Sequence, residues 1–383
     1  MDQHSVSASV LSTLDAIALV SCLLAPRVAQ AQACTPDFDL ISSPNAEPQN
    51  KLTATAAVAD GDVWAVGTSF TQENTAPYHA LIEHWDGVQW TIVAAPTPPV
   101  FSQLFGVSAV GTDDVWAVGA NIPQSGFVPP QPLIEHWDGS QWTVVASPNP
   151  NGWSWLNAVA AVAADDVCTV GQSRSEAVFM HWDGNEWTVA PSPDGAGIRY
   201  AITAVASDDI WSSGSGRFDN TGIFTHWDGA SWTTVSPGDG DGELFAISAA
   251  AATDIWSVGH SQFTQCDDTC FTLEFPVVEH WDGTAWQTVA GPFTTYGYSG
   301  FQSVAAQSAQ RIWVTGHDVY NTIVALWDGP SGLTPRVSTQ VLGSATSVLH
   351  RHRTVTFGLS GRFLPEANGA RSRHVTSAAD LKR

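Results

Sequence analysis

Basic residues are scarce: 14 Lys and Arg stand against 37 Asp and Glu, a formal net charge of −23. Between residues 35 and 335 the imbalance sharpens to five against 33. A surface of that sign repels nucleic-acid phosphates and anionic bilayers, which argues against both as docking partners. Methionine (two) and tyrosine (five) are also rare, yet tryptophan occurs 18 times. That inversion points to a motif that reuses Trp. No Gly-rich phosphate loop, nucleophile elbow or His-Glu zinc helix occurs, so no motif announces catalysis, a metal or a cofactor. Beyond the N-terminal stretch no apolar run is long enough to span a bilayer.

Residues 1–33 read as a signal peptide, with the apolar "VLSTLDAIALVSCLLA" followed by Ala31 and Ala33 ahead of Cys34. The expected location is therefore secreted or cell-surface. "LVSC" at Leu19–Cys22 has the form of a lipoprotein box, which leaves lipid anchoring as the lesser alternative. Export permits disulfides, and Cys266 and Cys270, flanking "DDT", are the expected pair. Residues 336–383 hold eight of the 14 Lys and Arg and no Trp. They read as a basic, disordered tail.

What is abundant is repetition. "DVWAVG"-like strands place Trp64, Trp116, Cys168, Trp211, Trp256 and Trp313 at one position, and "WDG" places Trp85, Trp137, Trp182, Trp227, Trp281 and Trp327 at another. The second anchor advances by 52, 45, 45, 54 and 46 residues, room for four short strands per unit. A four-stranded twisted sheet leaves two apolar faces exposed, and sheets stacked around an axis cover each other's. The expected fold over 34–335 is an all-β, six-bladed β-propeller of four-stranded antiparallel blades, with seven blades as the alternative. "FDLISSPN" from Phe38 resembles a fourth strand and its exit, and blade six lacks a second Trp. Phe38–Pro44 is thus expected to complete blade six and close the ring. Each "DG" is expected to form a type I′ hairpin, and Cys168 to fill the core where other units place Trp.

The "DD" and "DG" turns hardly vary and share one rim; the other connections vary freely and share the opposite rim. A rigid scaffold with one variable rim places function on that rim. Its aromatic candidates are Trp153, Trp155, Tyr200, Tyr296 and Tyr298, with Arg199 beside Tyr200. Phe105, Tyr200, Phe245 and Phe301 fall at or near one repeat position, where core capping competes with ligand contact. His84, His136, His181, His226 and His280 all precede "WDG", and a residue repeated in every blade serves the scaffold.

These motifs resemble a broad group of exported bacterial β-propeller repeat proteins over residues 38–330. "WDGxxW" is similar to the Asp-box of sialidase-like propellers, though one residue shorter between Asp and Gly; kelch and tectonin propellers are more distant likenesses. Most of the exported bacterial group has no known function; the variable rim and its aromatics lead to the expectation of a monomeric, non-catalytic binding module that takes a carbohydrate or a protein there. A glycan-active hydrolase or lyase of the sialidase-like type is the alternative.

Overall fold

The computed structural model describes residues 41–335 apart from 73–74, 97–100, 123–127, 194–196, 217–220, 239–241, 267–269, 290–298, 319–320 and 330–332; the side chains of 72–76, 265–271, 318–321 and 330–335 also lie outside the description. Six four-stranded antiparallel sheets form, each with its strands in chain order. Blade one comprises β1 (Gln49–Ala59), β2 (Asp62–Gln72), β3 (Thr75–Trp85) and β4 (Trp90–Ile92). The inner strands of blades two to six are β5 (Ser102–Gly111), β9 (Trp155–Ala163), β13 (Ile198–Ala206), β17 (Glu243–Ala251) and β21 (Ser299–Ser308). One cavity of about 450 Å³ touches all six inner strands, so they surround a common axis. Among the described residues no helix is long and apolar enough to cross a membrane.

Each inner strand carries a β-bulge near its start. In β1 the register steps from Leu52 to Ala54, which makes Thr53 the extra residue. Phe105, Asn157, Tyr200, Phe245 and Gln302 hold the same place in the other blades. The bulge drives the inner backbone onto its neighbour, and this explains the glycine that ends each "DVWAVG". A Cβ at Gly67, Gly119, Gly171, Gly214, Gly259 or Gly316 would stand 1.8–2.0 Å from a carbonyl oxygen of the inner strand.

The blades join through tryptophan. Trp64 of blade one lies 5.0 Å from Trp137 and 5.3 Å from Trp142 of blade two. Trp116 meets Trp182 and Trp187, Trp211 meets Trp281 and Trp286, and Trp256 meets Trp327 in the same way. Where Cys168 stands in for Trp, Phe179 takes the contact, 4.6 Å from Trp232. Burying one indole stabilises by roughly 4–6 kcal/mol from area alone, an upper bound. Around these rings five apolar clusters join blades one to two, two to three, three to four, four to five and five to six.

Among the described residues no such cluster joins blade six to blade one. Trp313 is half-buried and makes no ring contact with Trp85 or Trp90. Leu52 is 41% exposed, while Leu104, Leu156, Leu244 and Phe301, its counterparts, are at 0–1%. The expected closure by Phe38–Pro44 is corrected here. The fourth strand of blade six is β24 (Leu333–Pro335), paired with Ala325–Trp327. Backbone pairing suffices for that strand, so the missing second Trp did not signal a missing strand. Ile41–Pro44 forms no strand, and Phe38–Leu40 lies outside the described residues. Ser43 Oγ instead donates to Glu83 Oε2 at 2.6 Å, much as Gly238 N–H, in the link leading into blade five, donates to Glu279 Oε2. The N-terminal segment therefore behaves as the lead-in to blade one.

The "DG" loops also differ from expectation. Only the glycine is left-handed, at φ 86–91° across the six copies. In blades one to five each loop is four residues long, and the Asp carboxylate caps it by accepting two backbone N–H groups, as Asp86 does from Val88 and Gln89. A local Asp cap offers the backbone the partners that a type I′ turn would otherwise arrange.

Candidate functional site

One rim is built for constancy. A Cβ on Gly139 would meet Asp113 Cβ at 2.8 Å, so the "DG" and "DD" turns touch. Above them, His136 Nε2 lies 2.8 Å from Asp114 Oδ1, and the same Asp oxygen accepts the Trp116 indole N–H at 2.9 Å. His84–Asp62, His181–Asp166, His226–Asp209 and His280–Asp254 repeat the hydrogen bond at 2.8–2.9 Å. Asp138 and Asp282 are held down to about 2, chiefly by the Ser140 and Thr284 hydroxyls and then by backbone N–H donors. Five copies spaced around a ring converge on no common point, so this network cements the scaffold.

The opposite rim is irregular, and among the described residues one recess lies on blade three. A short turn (Pro150–Gly152) leads into β9, and a two-residue hairpin, Arg174–Ser175, joins β10 (Asp166–Ser173) to β11 (Glu176–Trp182). Asn151, Ser173, Arg174, Ser175 and Glu176 line a pocket of about 400 Å³ there. Asn151 and Arg174, at φ 57° and 60°, are the left-handed non-glycine residues among the described ones, and both line this pocket. Asn tolerates that conformation; an Arg held there costs roughly 1–2 kcal/mol, strain of the kind concentrated at functional sites. Ser173 Oγ fixes the recess by donating to Pro150 O at 2.9 Å and accepting from Asn151 Nδ2 at 3.3 Å. Trp153, half-buried, stands beside it with its ring 5.4 Å from that of Trp155.

The channel mouth is the second recess. Of the bulge residues, Thr53, Phe105, Asn157 and Tyr200 line the axial cavity, and several link neighbouring blades. Thr53 Oγ1 donates to Leu104 O at 2.7 Å and Asn157 Nδ2 to Arg199 O at 2.8 Å. Tyr200 packs on Phe245 at 5.2 Å, and Phe245 on His260 at 4.9 Å. The Tyr200 hydroxyl donates to Glu243 Oε1 at 3.3 Å and accepts from Ser215 Oγ. Burial raises its pKa above the ordinary tyrosine value.

No protein-family model matches the sequence, and no curated protein matches it. Solved structures do resemble it. "YCF48 bound to D1 peptide" superposes with a TM-score of 0.52 at 13% identity, over 80% of this chain and 88% of that one. The GH74 enzyme of Niastella koreensis gives 0.51 at 11% identity, over 74% of this chain and 46% of that one. YCF48 from Cyanidioschyzon merolae gives 0.47 at 17% identity, over 75% and 84%. The first two likenesses establish the β-propeller fold.

The structure sorts the expected site residues. Trp153 and Trp155 lie on the variable rim and Tyr200 at the channel mouth. Tyr296 and Tyr298 lie outside the described residues. Cys266 and Cys270 face each other in the backbone register of a hairpin, but their side chains lie outside the description. Arg199 is corrected: it is fully buried between blades three and four, at the position Leu occupies in blades two, three and five. Its Nε–H reaches Thr225 Oγ1 at 3.3 Å, its guanidinium lies 5.8 Å from the Phe179 ring, and Nη2 has no partner. Burial pushes it down to about 10. Phe301 is likewise core; Gln302 holds the bulge. The blade-three pocket was missed. Its signals were Asn-Gly after Pro150 and a hairpin turn, "SRSE", with no glycine.

Proposed function

We propose that the chain is an exported, non-catalytic binding module, secreted or held at the cell surface, that takes a protein ligand on its variable rim with the blade-three pocket as anchor. The observation that carries this reading is the coincidence of two left-handed non-glycine residues with a formed recess. Arg174 adds a reason of charge. It is an exposed cation on a strongly acidic chain, and a guanidinium suits a ligand carboxylate. The solved relative bound to a peptide supports a protein ligand by analogy of fold alone. A second reading, a glycan, is favoured by the Trp153–Trp155 pair, because indole faces stack on sugar C–H surfaces.

Peptide and glycan arrays probed with the wild type and with Arg174→Ala test both. The expected result is capture of peptides bearing an exposed carboxylate, weakened roughly 10- to 100-fold by Arg174→Ala, the loss of one charge-assisted hydrogen bond. Capture of glycans alone, unaffected by Arg174→Ala and abolished by Trp153→Ala, would select the second reading. Release of reducing ends from a bound glycan would sink the non-catalytic reading.

A further inference from the structure

Blade three differs from its neighbours at one point of the repeated network. In blades two, four and five the Asp Oδ1 accepts two hydrogen bonds, one from His Nε2 and one from the Trp indole N–H. Blade three keeps the pair His181–Asp166, at 2.9 Å, but replaces the indole with the Cys168 thiol. The carboxylate loses a strong donor, and a sulfur ligand enters in its place. Cys168 pairs in register directly with His181 across the two strands.

Among the described residues this is the one set of three such donors brought together. An Asp166 carboxylate oxygen, Cys168 Sγ and a His181 ring nitrogen lie within 4.8 Å of one another. Metal–ligand bonds of about 2.0–2.3 Å place tetrahedral ligand atoms roughly 3.3–3.7 Å apart, so the three close on one ion with shifts of about 1 Å. Phe179 and Trp232 pack at 4.6 Å beside the thiol and form an apolar wall. A route in exists as well. The His181 side chain is 39% exposed, against 25–27% for His84, His136, His226 and His280. The acidic chain concentrates cations near it.

We propose that Asp166, Cys168 and His181 form a binding site for a borderline-soft divalent cation of the zinc(II) class, with the fourth position left to water or an exogenous ligand. A thiolate, an imidazole and a carboxylate select such an ion over magnesium or calcium, which prefer oxygen alone. On binding, the thiol proton leaves to solvent and the metal–sulfur bond forms; no oxidation is involved. The site stands on the constant-rim side of blade three and is independent of the proposed ligand pocket.

The test is titration of the chelator-treated full-length chain with Co²⁺, followed by displacement with Zn²⁺. The wild type is expected to take one Co²⁺ with a near-ultraviolet thiolate-to-cobalt charge-transfer band, lost on adding zinc. Cys168→Ser and Asp166→Asn should each abolish the band, and the double variant Cys266→Ser/Cys270→Ser should keep it. Thermal melts of each variant without metal check folding, and Cys168→Ala replaces Cys168→Ser if that variant melts early. A wild type without the band overturns the site, as does a band that survives loss of Cys168 or disappears with Cys266 and Cys270.

Discussion

Glu135 gives the sharpest test of how the blades are packed. It lies in the third strand of blade two, fully buried, and neither carboxylate oxygen has a partner among the described residues. Its counterparts are better served: Ser43 donates to Glu83, and Thr288 and Gly238 donate to Glu279. Burial alone pushes Glu135 from 4.5 up to about 8. The sign follows from proton counting. Below about pH 4.5 both folded and unfolded chains hold the proton, and Glu135 adds no pH dependence. Between about 4.5 and 8 the unfolded chain gives it up while the folded chain keeps it, so stability falls as pH rises. The slope is about 1.4 kcal/mol per pH unit, and the accumulated loss is roughly 5 kcal/mol as an upper bound. Glu135→Gln keeps the shape and removes the titration. Urea melts of both proteins from pH 5 to 8 should show their difference drifting steadily in favour of the variant by several kcal/mol. A constant offset belongs to the new amide and does not matter; the drift does. Parallel curves across that range would refute the claim that an unpartnered carboxyl is buried there.

Four further outcomes follow from the same structure. Arg199→Leu restores the residue of blades two, three and five and should stabilise by about 1–3 kcal/mol in urea melts, because an unpaired buried cation gives way to packing. Gly119→Ala should cost about 3 kcal/mol or more, since the new methyl meets Gln103 O and the inner strand must move. Leu104→Ala should cost about 3–4 kcal/mol and Leu52→Ala less than about 1, which compares a covered joint with an uncovered one by differential melts. Arg174→Gly should raise the melting temperature slightly through relief of the left-handed strain and at the same time lose ligand, a separation that paired melts and binding isotherms read directly.

The blades were legible because Trp at fixed spacing admits few arrangements, and the six copies agree with one another. The bulge was not legible. Strand side chains alternate, so one inserted residue exchanges inside for outside. Arg199 beside Tyr200 therefore read as a rim pair, whereas the bulge at Tyr200 sends the tyrosine to the axis and leaves Arg199 in the core. The N-terminal segment misled for a different reason. "LISSPN" shares the exit of a fourth strand, and the structure uses that exit as the entry to blade one, with Ser43 on Glu83. The blade-three pocket depends on backbone angles at Asn151 and Arg174, which composition does not encode. Cys168 was correctly read as buried, but the approach of His181 and Asp166 came from cross-strand register and not from neighbours in sequence.

The uncovered joint at Leu52 and Trp313 gives the molecule a weakest point. Among the described residues five apolar clusters join the six blades, so blades one and six each share one cluster with a neighbour while the rest share two. Heat or pulling force should peel the assembly from those two margins inwards, with amides of blades one and six exchanging first and those of blades three and four last.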